Sequence, residues 1–228
     1  MAAAIQKNHP HARFGVGPVI ENGFYYDVSD KHNFTPEDLK AIEKEMRAII
    51  AKKLEFEREE MPIDQAIEYF KAQHQDFKVE LLQDLKSKGT TSLKDAGDEL
   101  VDSGNGKIEQ VSVYKTGEFT DLCRGPHVKN TSEIPADGFK LTKLSGAYWR
   151  GNENNPQLQR IYGVAFATKA ELKQYLHMLE EAEKRDHRKL GQELDLFVVQ
   201  AQIDVHQGFK LIDHLGGFSG FLVVFLTL

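Results

Sequence analysis

The densest group of side chains able to do chemistry lies between Thr120 and His127, in the run Thr-Asp-Leu-Cys-Arg-Gly-Pro-His. Cys123 and His127 are four residues apart, so they can share a metal ion or place a thiol beside an imidazole. The Gly-Pro pair between them predicts a turn that directs both side chains inward. Asp121 precedes the cysteine by two residues and would share its face if this segment is a strand. The run predicts a site, and the alternative is a buried cysteine next to a surface histidine.

Other chemistries fit only part of this sequence. Cys123 is the single cysteine, which excludes a four-cysteine zinc site and an intrachain disulfide, and two ligands alone do not hold zinc. A cysteine nucleophile would need an activating cation, which Arg124 would have to supply. The 97–107 segment ends in Gly-Lys, but Val101 and Ile108 stand where a phosphate-binding loop needs a glycine and a hydroxyl. A metal-dependent or thiol hydrolase that acts on a small ester therefore stays a hypothesis that only Cys123 and His127 support.

A second group combines aromatic and basic side chains over Ser145–Asn152, with a further basic residue at Arg160. Trp149 and Arg150 are neighbours there, and such pairs can stack on bases and bind phosphates. The alternative is that these aromatic residues pack within a strand. A charged run over 180–189 is either a solvated helix face or a surface that follows a nucleic-acid backbone. Its basic residues include Lys184, Arg185 and Arg188.

Both helices and strands must position these residues. An Asn-Gly pair at 22–23 predicts a hairpin turn, and Thr35 followed by proline predicts the start of a helix. Thr168 and Glu171 form a capping box at the start of another helix. The patterns predict a short helix at 2–7, a hairpin over 14–28, a helix from Thr35, a half-buried strand from Leu54, a helix over 62–72, a strand followed by a helix over 77–86, strands over 108–114, 138–149 and 157–167, and a helix over 168–196.

Strands that cluster without regularly alternating helices predict an α+β fold, with an antiparallel sheet and packed helices. The last helix has an apolar face in its first half only, so its second half suits a solvated arm between domains. We therefore divide the chain into a domain over 1–167, a long linker helix over 168–197 and an atypical apolar tail over 198–228.

The composition is that of an ordinary globular protein. The 228 residues carry a formal net charge of −6, and 40% of them are hydrophobic, which argues against nucleic-acid binding by bulk attraction. The uncharged end from Leu215 is shorter than the roughly 20 apolar residues of a membrane-spanning helix. The first residues lack a charged leader and an apolar run. With its one cysteine, the chain is expected in the cytoplasm.

Five strings support a resemblance when they are taken together. They are Gly-Pro-Val-Ile-Glu-Asn-Gly-Phe-Tyr-Tyr-Asp at 17–27, Thr-Asp-Leu-Cys-Arg-Gly-Pro-His at 120–127, Leu-Ser-Gly-Ala-Tyr-Trp-Arg-Gly at 144–151, Leu-Gln-Arg-Ile-Tyr-Gly at 158–163 and Glu-Ala-Glu-Lys-Arg-Asp-His-Arg-Lys-Leu-Gly at 181–191. In order and spacing the chain resembles the editing domain and following linker helix of bacterial threonyl-tRNA synthetases over roughly 1–197.

The resemblance implies hydrolysis of mischarged Ser-tRNA(Thr). Cys123 and His127 match the family's Cys-x3-His element, with Asp121 beside them, and Lys78 and Tyr26 match positions associated with the same pocket. His127 or Asp121 would then deprotonate a water molecule, Lys78 would hold the ribose or the oxyanion, and Cys123 would contact the substrate. We expect no metal here, although the related alanyl editors use zinc at similar ligands. The basic and aromatic residues of the second group and of the charged run would contact tRNA.

Two departures from the family limit this expectation. The family's His-x3-His helix would lie just before Met1, so both histidines are missing, and deacylation is expected to be weak or absent. The class II catalytic core, with its ATP, magnesium and zinc sites and its dimer interface, does not follow Phe197. The chain is thus expected not to charge tRNA, to carry no cofactor and to be monomeric. The alternative is a non-catalytic tRNA-binding fragment or a truncated gene product.

Overall fold

The structure, a computed structural model, describes residues 1–91 and 108–185. The helices are α1 Ala2–Asn8, α2 Pro36–Ala51, α3 Ile63–Ala72, α4 Asp76–Lys88 and α5 Lys169–Lys184. The strands are β1 Arg13–Phe14, β2 Val19–Ile20, β3 Gly23–Ser29, β4 Glu57–Pro62, β5 Gln110–Thr116, β6 Phe119–Leu122, β7 Phe139–Tyr148 and β8 Gln157–Ala165. The predicted α+β class with antiparallel sheets is confirmed.

The strands of the described part form two sheets. The larger has the order β1-β3-β8-β7, with β2 also paired to β3, and the smaller has the order β4-β5-β6. One apolar cluster joins α3 and α4 to the smaller sheet, and a second joins α1 and α2 to the larger sheet. Both sheets therefore have one face covered by helices, as antiparallel sheets commonly do.

The predicted hairpin forms, but its first strand is interrupted. Ile20 pairs with Gly23 across the Asn-Gly turn, while residues 15–18 separate β1 from β2. A Cβ at Gly17 would run into the ring of Tyr26, so the glycine allows the backbone to cross this ring closely. The missing Cβ at Gly17 therefore leaves room for the Tyr26 ring.

The prediction of a strand at the start of 77–86 is wrong, because the whole segment lies in α4. Phe77, Leu81, Leu82 and Leu85 are all buried, which is the spacing of a helix packing on one face. The helix ends at Gly89, whose left-handed backbone (φ 70°) is typical of a C-cap. Lys78 lies on the same buried face as the leucines, and its position on a helix was missed.

The smaller sheet also differs from the prediction. Strand β4 begins at Glu57, and Met61 is its only buried residue, so the predicted half-buried strand is mostly exposed. Its acidic side chains and Pro62 suit an edge strand, because they discourage pairing with another chain. Strand β6 was not predicted, and it carries Asp121 directly opposite Tyr114 of β5.

Helix α5 starts at the predicted capping box, where Thr168 N–H donates to Glu171 and Glu171 N–H donates to Thr168 Oγ1. The chain divides into two units, residues 1–175 and 176–228, so the change of unit falls within this helix. The remainder of the predicted helix to 197 and the tail over 198–228 lie outside the described residues. None of the helices in the described part is long and apolar enough to cross a membrane.

Candidate functional site

A cavity of about 510 Å³ lies in the first unit, where the two sheets and three helices meet. All five pocket residues suggested by the sequence line it, and they come from β3, α4, β6 and the loop after β6. They are Tyr26, Lys78, Asp121, Cys123 and His127. Met1 and the first two residues of α1, Ala2 and Ala3, also line the cavity.

The first half of the site is a buried network around Asp121. Lys78 Nζ lies 2.7 Å from Asp121 Oδ1 and donates to Tyr26 Oη at 3.1 Å. Tyr26 in turn donates to Asp121 Oδ2, and Leu122 N–H donates to Oδ1 at 2.8 Å. The carboxylate thus has both oxygens occupied, whereas the ammonium group has one N–H beyond these two contacts.

The environment of Tyr26 favours its neutral form. Burial raises the pKa of the Tyr26 hydroxyl well above its usual value, and the negative charge and hydrogen bond of Asp121 raise this pKa further. The phenol therefore stays a donor to Asp121 at physiological pH.

The second half of the site is the turn that joins Cys123 to His127. Cys123 Sγ lies 3.2 Å from His127 Nε2 and accepts a hydrogen bond from Gly125 N–H at 3.3 Å. Gly125 has a φ of +77°, and a Cβ there would run into the hydroxyl of Tyr114. The Gly-Pro turn therefore brings the thiol and the imidazole together, and a larger residue than glycine would not fit.

Two aromatic residues that the sequence reasoning did not select lie against His127. Its ring stacks on Phe56, with centroids 5.1 Å apart and planes 10° apart. It also contacts the tilted ring of Tyr114, with centroids 4.2 Å apart and planes 56° apart. Phe56 directly precedes β4, within the segment that was predicted as a half-buried strand from Leu54. Tyr114 could have been placed here only if β6 had been predicted and paired with β5, because Tyr114 then lies opposite Asp121.

These donors do not complete a metal site. Zinc takes three or four protein ligands, and Cys123 with His127 provides two. Over 1–91 and 108–185, no group of three or more His, Cys, Asp or Glu residues could hold a metal ion.

The second group of predicted residues has packing roles. Trp149 is 3% exposed, packs on Phe77 and donates from its indole N–H to Glu80 at 2.8 Å. Arg150 is paired with Asp84 at 2.5 Å. The alternative of core packing thus applies to Trp149, which corrects the expectation that its ring is available to stack on a base.

Arg160 is also committed within the fold. It forms two hydrogen bonds to Asp27, at 2.6 and 2.9 Å, and lies over the ring of Tyr25 at 3.9 Å. The bonded carboxylate raises the pKa of the guanidinium further above its usual value. This pair fastens β3 to β8, where the two residues stand opposite each other.

The basic residues of the charged run lie in the second unit. Lys184 pairs with Glu181 at 2.9 Å, and Arg185 lies 3.7 Å from the same carboxylate. Both side chains are largely exposed. Arg188 lies outside the described residues, so the tRNA contacts of this run remain a prediction.

Comparisons with known proteins agree on one kind of relative. Residues 111–162 match the family model described as "Threonyl and Alanyl tRNA synthetase second additional domain". The chain is 49% identical to the threonine–tRNA ligase of Azoarcus sp. over 202 residues, which cover 89% of this chain and 28% of the relative. It is 48% identical to the ligase of Clostridioides difficile over 87% of the chain and 28% of that relative. It is also 48% identical to the ligase of Acidovorax ebreus, over 96% of the chain and 30% of that relative. The chain thus spans less than a third of the length of these relatives.

Proposed function

This chain belongs to the threonine–tRNA ligase family, of whose curated members it spans 28–30%, and from that premise we propose that its cavity hydrolyses the ester bond of mischarged Ser-tRNA(Thr). One observation carries the proposal. A single cavity is lined both by the Lys78–Asp121 ion pair and by the Cys123–His127 pair.

Ester hydrolysis needs a group that takes a proton from the attacking water and a positive group near the developing oxyanion. We assign the first role to His127, because both oxygens of Asp121 already accept hydrogen bonds. The proton passes from water to His127 and then to the ribose oxygen as the ester C–O bond breaks. The imidazole therefore ends the cycle in the state in which it began.

Lys78 is the group we assign to the oxyanion. Its ammonium is held by Asp121 and Tyr26, which leaves one N–H for the substrate. Asp121 acts as a positioning residue, because it fixes the ammonium and does not take the proton. Cys123 contacts the amino or hydroxyl group of the seryl moiety.

The need for such a site follows from selectivity. Serine lacks one methyl group of threonine, and a pocket gains only about 1–3 kcal/mol of discrimination from a methylene-sized difference. An enzyme that charges threonine therefore mischarges serine at an appreciable rate. A second site that hydrolyses the smaller product corrects this error.

The proposal is tested by incubating the chain, in excess, with Ser-tRNA(Thr) and with Thr-tRNA(Thr). We expect slow serine release above the spontaneous rate and no release of threonine. His127→Gln should abolish the release, whereas the matched control His11→Gln, at an exposed position outside the cavity, should not.

Release of serine at the spontaneous rate by the unsubstituted chain would contradict the proposal. A gel shift of tRNA(Thr) without hydrolysis would then favour a tRNA-binding role. The proposed partner of this chain is the mischarged tRNA(Thr). We place the activity in the cytoplasm, on account of the single cysteine.

A further inference from the structure

His127 is exposed and lies in a loop without regular secondary structure. An exposed side chain loses conformational entropy when it is held in one orientation. The contact of its Nε2 with Cys123 Sγ, at 3.2 Å, involves only one edge of the ring. Contacts to the two faces of the ring can in addition restrain the plane of the imidazole.

Two rings from separate elements supply that restraint. Phe56 lies parallel to one face of the imidazole, and Tyr114 approaches it at 56°. Both rings also line the cavity. Aromatic faces pack against a neutral imidazole and attract a protonated one, so these contacts persist when the histidine gains a proton.

Backbone hydrogen bonds fix the first of these rings relative to the histidine loop. Phe56 N–H donates to Lys129 O at 3.0 Å, and Thr131 N–H donates to Leu54 O at 2.8 Å. Glu55 forms a bridge with Asn130. The segment that carries Phe56 is thus joined on both sides to the residues that follow His127.

The second ring is fixed by the sheet and by the turn. Tyr114 lies in β5 opposite Asp121, and its hydroxyl occupies the space that a Cβ at Gly125 would need. The same ring therefore packs over the turn and over the imidazole.

We propose that Phe56 and Tyr114 are positioning residues, which clamp the His127 imidazole against Cys123 for the hydrolysis of the seryl ester. This inference rests on the proposed function for its consequence in catalysis. The clamp itself is a property of the folded chain that is measurable without substrate.

The test uses Phe56→Leu, with Phe56→Tyr as the conservative variant. Phe166→Leu is the matched control, because Phe166 is also half-buried and packs on an aromatic ring, that of Tyr175, with centroids 5.0 Å and planes 44° apart, but does not line the cavity. The first readout is the NMR resonances of the His127 ring protons, identified by their loss in His127→Gln. The second readout is kcat and KM for Ser-tRNA(Thr).

In Phe56→Leu we expect the His127 resonances to lose the upfield shift that stacked rings produce. We also expect kcat to fall about 10- to 100-fold with KM unchanged, because misplacing a reacting group by about an ångström has an effect of this size. Phe56→Tyr should restore both readouts, and Phe166→Leu should change neither.

Unchanged His127 resonances in Phe56→Leu would overturn the clamp, and altered resonances with an unchanged kcat would overturn its role in positioning His127 for hydrolysis. If the unsubstituted chain releases no serine, the proposed function is contradicted, while the resonances still decide whether the clamp exists.

Discussion

Lys78 Nζ lies 2.7 Å from Asp121 Oδ1, and the side chain of Lys78 is only 4% exposed. A charged group is removed from water at a high cost unless it is paired and hydrogen-bonded. Here the cost is offset by Asp121 and Tyr26, and the pair holds helix α4 to strand β6. This arrangement keeps a cation beside a cavity whose walls are largely apolar.

Removing the cation should therefore destabilise the fold. We expect Lys78→Met to lower the free energy of unfolding by about 3 kcal/mol, because it leaves Asp121 with no partner of opposite charge. The matched control is Lys169→Met, since Lys169 is 77% exposed and pairs with Asp137 at 3.3 Å; its effect should be within about 0.5 kcal/mol. Urea denaturation measures both, and equal effects would contradict the role given to the buried pair.

The turn between Cys123 and His127 makes a second prediction. Gly125→Ala and Gly151→Ala both place an alanine at a positive φ, of +77° and +66°, which costs about 1–2 kcal/mol. Only Gly125→Ala also runs into Tyr114, while nothing lies within 4 Å of a Cβ at Gly151. We therefore expect a further loss of about 1–3 kcal/mol in Gly125→Ala alone. Thermal unfolding checks the difference, and indistinguishable variants would refute the close contact.

Tyr26 predicts how stability changes at alkaline pH. Its folded pKa is raised by burial and by Asp121, so its contribution to stability is complete below the unfolded pKa of about 10 and decreases as the pH rises above it. We expect the stability of Tyr26→Phe to decrease less steeply above pH ~10 than that of the unsubstituted chain. Denaturant unfolding from pH 8 to 11 measures the slopes. Parallel curves would show that Tyr26 ionises as freely in the folded chain as in the unfolded one.

Trp149 gives a prediction that needs no substitution, because it is the only tryptophan. A residue that is 3% exposed and packed on Phe77 should emit at short wavelength and resist quenching by acrylamide. Adding tRNA should leave this emission unchanged, since its ring is not available for stacking. Strong quenching by tRNA would restore Trp149 as a tRNA contact.

The sequence predicted the elements whose signals are local. The Asn-Gly turn at 22–23, the proline after Thr35 and the capping box at Thr168 all specify backbone geometry within a few residues, and the structure confirms each one. Segment 77–86 was ambiguous because a short apolar run fits both the period of a helix and that of a strand. The stripe of Lys78 with Leu81, Leu82 and Leu85 resolves the ambiguity once the lysine is counted as buried.

The site was only partly predictable for a related reason. Cys123 and His127 are close in sequence, so their contact followed from spacing and the turn. Lys78 and Tyr26 were suggested only by a resemblance, because their meeting with Asp121 depends on tertiary packing. Phe56 and Tyr114 carried no chemical signal of their own, and they become recognisable only when β4, β5 and the histidine loop are seen together.

The central proposal is that His127 takes the proton from water in the hydrolysis of a seryl ester. The most direct measurement is the single-turnover rate of serine release from Ser-tRNA(Thr) by the unsubstituted chain and by His127→Gln. We expect release above the spontaneous rate from the unsubstituted chain, and a loss of about 100-fold or a fall to the spontaneous rate in His127→Gln. Equal rates in the two proteins would contradict the proposal.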